Sequence, residues 1–189
     1  LRTWIPLLLL PVMASMRFIP GLFQNGPSTI WMASAFGPFL VGVLVMGWWL
    51  FASRARWFER LLGVAGLVAI VLIVQVLADS SMRGPPLIVM TIPVTIAAFA
   101  IGLICLGAQL SVRRTVGALL LALLGAGVSD VVRTDGVWGD FSLGLNWRWA
   151  PTAEGRLLAT RRNAASANAP QAAVDPAAFQ SPQWPGFRG

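Results

Sequence analysis

The chain of 189 residues contains no histidine, no lysine and no tyrosine, and only one cysteine, Cys105. Without histidine it lacks the commonest metal and haem ligand and the side chain that titrates near neutral pH, so metal-assisted and general-base chemistry lose their usual residue. Without lysine there is no Schiff-base amine, and without tyrosine no phenol for proton transfer. Cys105 lies within a long apolar run, where a thiol packs as a small hydrophobe, and a lone cysteine forms no internal disulfide. Acids are scarce: seven Asp and Glu stand against fourteen basic residues, all arginine, for a net charge of +7. Asp130, Asp135 and Asp140 recur every five residues, a spacing that scatters them around a helix instead of gathering them on one face.

What the chain has instead is apolar length. It is 57% hydrophobic, with a mean hydropathy of +0.73. Five runs stand out, from Trp4 to Phe23, Ile30 to Phe51, Trp57 to Ala78, Leu87 to Gln109 and Thr115 to Val132. Each is close to the ~20 residues that carry a helix across the hydrocarbon core. None alternates with period two as a barrel strand does, and in lipid a lone segment satisfies its backbone only as a helix. The expected fold is an all-α membrane protein. It has five transmembrane helices over residues 1–133, then a mostly irregular extracytoplasmic tail: a Trp-rich surface segment with one short helix over 134–162, and an Ala/Pro linker over 163–189.

Arginine placement sets the expected orientation. With the N-terminus in the cytoplasm, the inner side holds Arg2, Arg54, Arg56, Arg60, Arg113 and Arg114, whereas the short outer loops hold only Arg83. That is the positive-inside pattern, and five crossings leave the C-terminus periplasmic in a bacterial inner membrane. The arginines are spread one or two at a time along loops and tail, so the positive charge implies anionic lipid and not nucleic acid. Arg17, inside the first run, either snorkels to the outer headgroups or meets an acidic group or lipid phosphate. Trp4, Trp31, Trp48, Trp49 and Trp57 fall at the expected interfaces, the level that indole rings favour.

Helix contacts in lipid depend on close approach, which small residues at four-residue spacing permit. Ala118, Ala122 and Ala126 form one such stripe, with Gly125 and Ser129 beside it; Ala33 with Gly37 and Ala98 with Gly102 offer others. Pro38 and Pro93 fall inside runs and free the carbonyls of Ser34 and Val89, which bends both helices. Thr91, Thr95 and Gln75 are mid-span polar groups suited to interhelical hydrogen bonds. No acid or histidine lies deep within runs two to five, which disfavours a transport path.

From Arg133 to Pro151 the chain mixes Gly and Asp with aromatic residues, too broken for a helix and too aromatic for a free linker. Trp138, Phe141, Trp147 and Trp149 are its candidate docking residues. A short helix is expected over about Thr152 to Arg162, followed by the Ala/Pro-rich linker. The stretch DFSLGLNWRWAPTAEGRLL (Asp140 to Leu158) and the terminal WPGFRG (Trp184 to Gly189) resemble the N-terminal part of bacterial membrane-bound proteins with a pyrroloquinoline-quinone-type β-propeller. In layout the chain is similar to membrane-bound quinoprotein glucose dehydrogenases, whose five helices lead to a periplasmic propeller. Gly155 stands where that family's helix motif has an acid. The sequence reaches Gly189 ahead of the first blade, so the resemblance carries no cofactor pocket, metal ligand or catalytic acid onto any residue here.

Three functional readings follow from the sequence. The first is a non-catalytic anchor or scaffold subunit, in contact with membrane lipids and other integral membrane subunits of a respiratory or photosynthetic complex. The second is the membrane anchor of a propeller-type quinoprotein dehydrogenase, and the third a small transporter. No residue is identifiable as a cofactor ligand, although contact with quinone, carotenoid or lipid needs none.

Overall fold

The structure, a computed structural model, describes residues 4–18, 27–53, 55–107, 111–139 and 142–166. These are mostly helical. Helix α1 spans Trp4–Met16, α2 Ser28–Gly47, α3 Trp57–Leu77, α4 Ile92–Cys105 and α5 Ser111–Val131. Two wide π turns extend the set, Trp48–Ala52 after α2 and Leu87–Thr91 before α4. With those turns included, four helices are long and apolar enough to cross a membrane: Ser28–Ala52, Trp57–Leu77, Leu87–Cys105 and Val112–Val131. At 1.5 Å per residue they are about 28 to 38 Å long, enough to cover the ~30 Å hydrocarbon core. The first expected run differs, since α1 is a shorter apolar helix of 13 residues.

The π turn at Leu87–Thr91 has a clear cause in Pro93. A proline lacks the N–H that the carbonyl four residues earlier requires, and its ring crowds that carbonyl. The backbone responds by widening one turn, and the N–H of Ile92 bonds back to the Leu87 carbonyl instead. Pro38 lies inside α2 and is buried.

Spatial neighbours run α1, α2, α4, α5, α3. The tightest seam is between α4 and α5, which pack antiparallel. A Cβ on Gly102 would stand 2.6 Å from the Ala118 Cα, and one on Gly125 would stand 2.8 Å from the Ala98 Cβ. Ala118, Ala122 and Ala126 are fully buried along this seam. Further along, Thr91 Oγ1 and Ser129 Oγ hydrogen-bond at 2.9 Å across the two helices. Thr95 instead donates to the Thr91 carbonyl of its own helix at 2.7 Å. Gly37 meets the Met16 sulfur of α1, whereas Ala33 on the same expected stripe is exposed.

The segment after α5 departs from the expected irregular tail. It forms an antiparallel hairpin, β1 Val132–Val137 and β2 Leu143–Trp147, with Val132 opposite Trp147 and a register shift between Thr134 and Val137. Three features outside the local pattern hold it. The Thr134 N–H donates to Ser81 Oγ at 3.1 Å, the Arg148 N–H donates to the Val131 carbonyl at 3.0 Å, and the Arg148 guanidinium reaches the Leu77 and Asp130 carbonyls. The hairpin therefore belongs with the helices: one compact unit ends at Ala150 and a second begins at Pro151. The second unit contains a helix, α6, at Ala153–Ser166, whose described side chains are exposed.

The seam yields a direct test. Gly102→Leu places a side chain against backbone that cannot withdraw, so the unfolding midpoint in detergent should fall, by at least the 1–3 kcal/mol usual for about one overpacked site. Gly127→Leu is the control, because a Cβ there meets nothing within 4 Å. Equal stability of the two variants would contradict a close α4–α5 approach.

Candidate membrane anchor and docking surfaces

At one end of the bundle the loop from α2 to α3 meets the start of α5. Glu59, on the first turn of α3, is completely buried, and its Oε2 lies 3.7 Å from the Arg114 guanidinium of α5. Arg114, expected on the membrane surface, is buried and paired, and its partner Glu59 is not among the residues that the sequence singles out. The sequence signal for Glu59 is an acid one turn into an apolar run beside an arginine-bearing loop. Arg60 is also turned inward. It donates to the Leu50 carbonyl at 2.6 Å, to the Ala55 carbonyl at 2.9 Å and to the Ser53 carbonyl. Leu50 and Ser53 lie at the end of the preceding helical segment, where carbonyls lack intrahelical partners, and Ala55 lies in the loop beyond it. Its guanidinium also lies 4.9 Å from the centre of the Trp57 ring. Arg56 and Arg113 remain exposed at this end, while Arg54 lies outside the described residues.

The tryptophans divide into two groups. Trp4 and Trp57 are exposed, as interfacial anchors are, and Trp31 is half-buried. Trp48 and Trp49, also expected at an interface, are buried against the rest of the bundle. The π turn that contains them shifts the helical phase and turns both rings inward. Trp49 is fully buried and meets Phe99 edge-on, with centroids 5.6 Å apart and planes at 90°. Among the described residues their indole N–H groups find no hydrogen-bond partner.

The other end carries the hairpin and the short 3₁₀ turn Ser80–Met82. Asp79 caps that turn by accepting the Ser81 N–H at 2.9 Å, and this bond holds its carboxyl below the usual aspartate range. A lowered carboxyl pKa stabilises the fold at pH above the unfolded value, and the contribution disappears as pH falls through the folded one. Arg83 donates to the Val76 and Ala78 carbonyls at the end of α3. Arg133 is buried and pairs with Asp135 at 3.5 Å, and Asn146 also donates to Asp135. Of the expected docking residues, Trp138, Trp147 and Trp149 are exposed, with Trp147 and Trp149 stacked at 5.3 Å; Phe141 lies outside the described residues. The Trp184–Gly189 stretch also lies outside them.

Between α1 and α4 runs an apolar groove of about 770 Å³. Leu7, Pro11 and Ala14 line it from one side, Pro93 and Ala97 from the other, and Pro38 lies behind; Arg17 and Leu145 stand at the hairpin end. Among the described residues, no group of three or more His, Cys, Asp or Glu is placed to hold a metal ion. No protein-family model, no curated protein and no solved structure matches the chain.

The buried ion pair gives a second prediction. Glu59→Leu leaves the Arg114 charge buried without a counterion, which should cost about 3–5 kcal/mol. Glu59→Leu with Arg114→Leu removes both charges and should recover most of that loss in the same detergent unfolding assay. A double variant no more stable than the single one would contradict the pairing.

Proposed function

We propose that the chain is a non-catalytic anchor and scaffold subunit that packs beside other integral membrane proteins of a bacterial energy-transducing complex, respiratory or photosynthetic. The observation that carries this reading is the pair of apolar surfaces at right levels for it. Long exposed faces, such as Leu40, Val43 and Leu44 on α2 and Leu72, Ile73 and Val76 on α3, suit lipid or neighbouring helices. Beyond them the hairpin presents Trp138, Trp147 and Trp149 on a rigid support, and exposed aromatic residues of this kind are the usual anchors of protein interfaces. In this proposal α1 is a fifth crossing, the Glu59 end faces the cytoplasm and the hairpin faces the periplasm. The second reading, an anchor for a quinoprotein propeller, draws support from the sequence of Asp140 to Leu158, whose described residues include β2 and the start of α6, and it predicts propeller repeats in the gene beyond Gly189.

Mild purification of the untagged protein from native membranes tests the scaffold role. The expected result is co-purification of other integral membrane subunits in fixed ratio, and their loss from the triple variant Trp138→Ala, Trp147→Ala, Trp149→Ala with the helical circular dichroism unchanged. Recovery of the wild-type chain by itself, or a triple variant that retains its partners undiminished, would contradict the proposed docking surface.

A further inference from the structure

The groove between α1 and α4 has a composition that selects its occupant. All of its lining side chains but one are aliphatic, proline or methionine, and the exception is Arg17. Three prolines, Pro11, Pro38 and Pro93, and three alanines, Ala14, Ala97 and Ala98, give this region its space, because rings and methyl groups fill less volume than the leucines around them. At about 770 Å³ it lies within the usual range of small-ligand sites. Arg17 follows the last turn of α1, where its N–H bonds the Ala14 carbonyl at 3.2 Å. It is exposed, and among the described residues it makes no ion pair. Among the described residues it therefore stands as an unpaired guanidinium at the hairpin end of an apolar channel.

We propose that this groove is a phospholipid site, which holds an acyl chain along Leu7, Pro11, Ala14 and Ala97 and the phosphate of an anionic headgroup on Arg17. Charge complementarity decides the class of head. A guanidinium donates paired hydrogen bonds to phosphate oxygens. For the cation of a choline or ethanolamine head the lining offers neither an acid nor an aromatic face, and that cation beside Arg17 is repelled, so an anionic head is preferred. A quinone ring likewise finds no aromatic surface on which to stack. The aliphatic wall, in contrast, matches a hydrocarbon chain along its length. This inference rests on the membrane reading but not on the scaffold role, and it applies whatever protein lies beside the bundle.

The test uses the full chain in nanodiscs of phosphatidylcholine with a minor fraction of phosphatidylglycerol, followed by detergent extraction and native mass spectrometry. Wild type should retain one phosphatidylglycerol molecule. Arg17→Gln should retain about tenfold less, the equivalent of one lost charge-assisted hydrogen-bonded contact, and Arg17→Lys should restore part of it. Ala97→Phe, which fills the channel and leaves Arg17 in place, should also lose the lipid. Circular dichroism and the unfolding midpoint identify any variant that fails to fold, and the wild-type measurement stands without them. Equal retention by wild type and Arg17→Gln, preference for phosphatidylcholine, or no retained lipid in wild type would each overturn the proposal. Failure of wild type to enter the nanodisc would instead count against the membrane reading.

Discussion

Four of the helices are long and apolar enough to cross a membrane, and that composition sets the terms on which they can pack. Helices in hydrocarbon gain nothing from hiding apolar side chains from one another, because lipid tails are equally apolar, so attraction must come from van der Waals contact and a few polar bonds. That requirement explains the α4–α5 seam, where Gly102 and Gly125 let two backbones approach to a distance that no Cβ would tolerate. It also explains why a cross-helix hydroxyl pair, Thr91 with Ser129, lies on the same seam: once the backbones are that close, two short side chains suffice to span the gap.

The same constraint accounts for the arginines. Each helix ends in carbonyls without intrahelical partners, and a long cationic side chain can reach back to them while its charge stays near the surface. Arg60 serves the end of α2, Arg83 the end of α3, and Arg148 the ends of both α3 and α5. The chain thus uses several of its arginines as fixed structural parts. Arg56 and Arg113 are left exposed at the Glu59 end, free to meet anionic headgroups.

Some of this was readable in advance, and for a physical reason. Membrane helix contacts demand small residues at four-residue spacing, so the stripe of Ala118, Ala122 and Ala126 and the Ala98–Gly102 pair mark a close face on sequence alone. Pro93 likewise marks a backbone disturbance, although its form as a π turn is a matter of local hydrogen bonding. What could not be read depends on contacts distant in the chain. The inward turn of Trp48 and Trp49 follows from a phase shift of the helix, and interfacial and buried tryptophans at a helix end look the same in a sequence. Glu59 becomes notable only once Arg114, more than fifty residues later, is placed against it. The hairpin is not legible in the sequence because Gly and Asp break its alternation, and its supports, Ser81 and the end of α3, lie far upstream.

The central claim is that these helices thread a bilayer, with the Glu59 end on one side and the hairpin on the other. Cysteine accessibility in intact cells tests it most directly. In a Cys105→Ser background, Arg56→Cys and Gly139→Cys occupy exposed positions at the two ends. A membrane-impermeant maleimide added to spheroplasts should label position 139 at once and position 56 only after permeabilisation. Labelling of both positions from the same side would contradict the account.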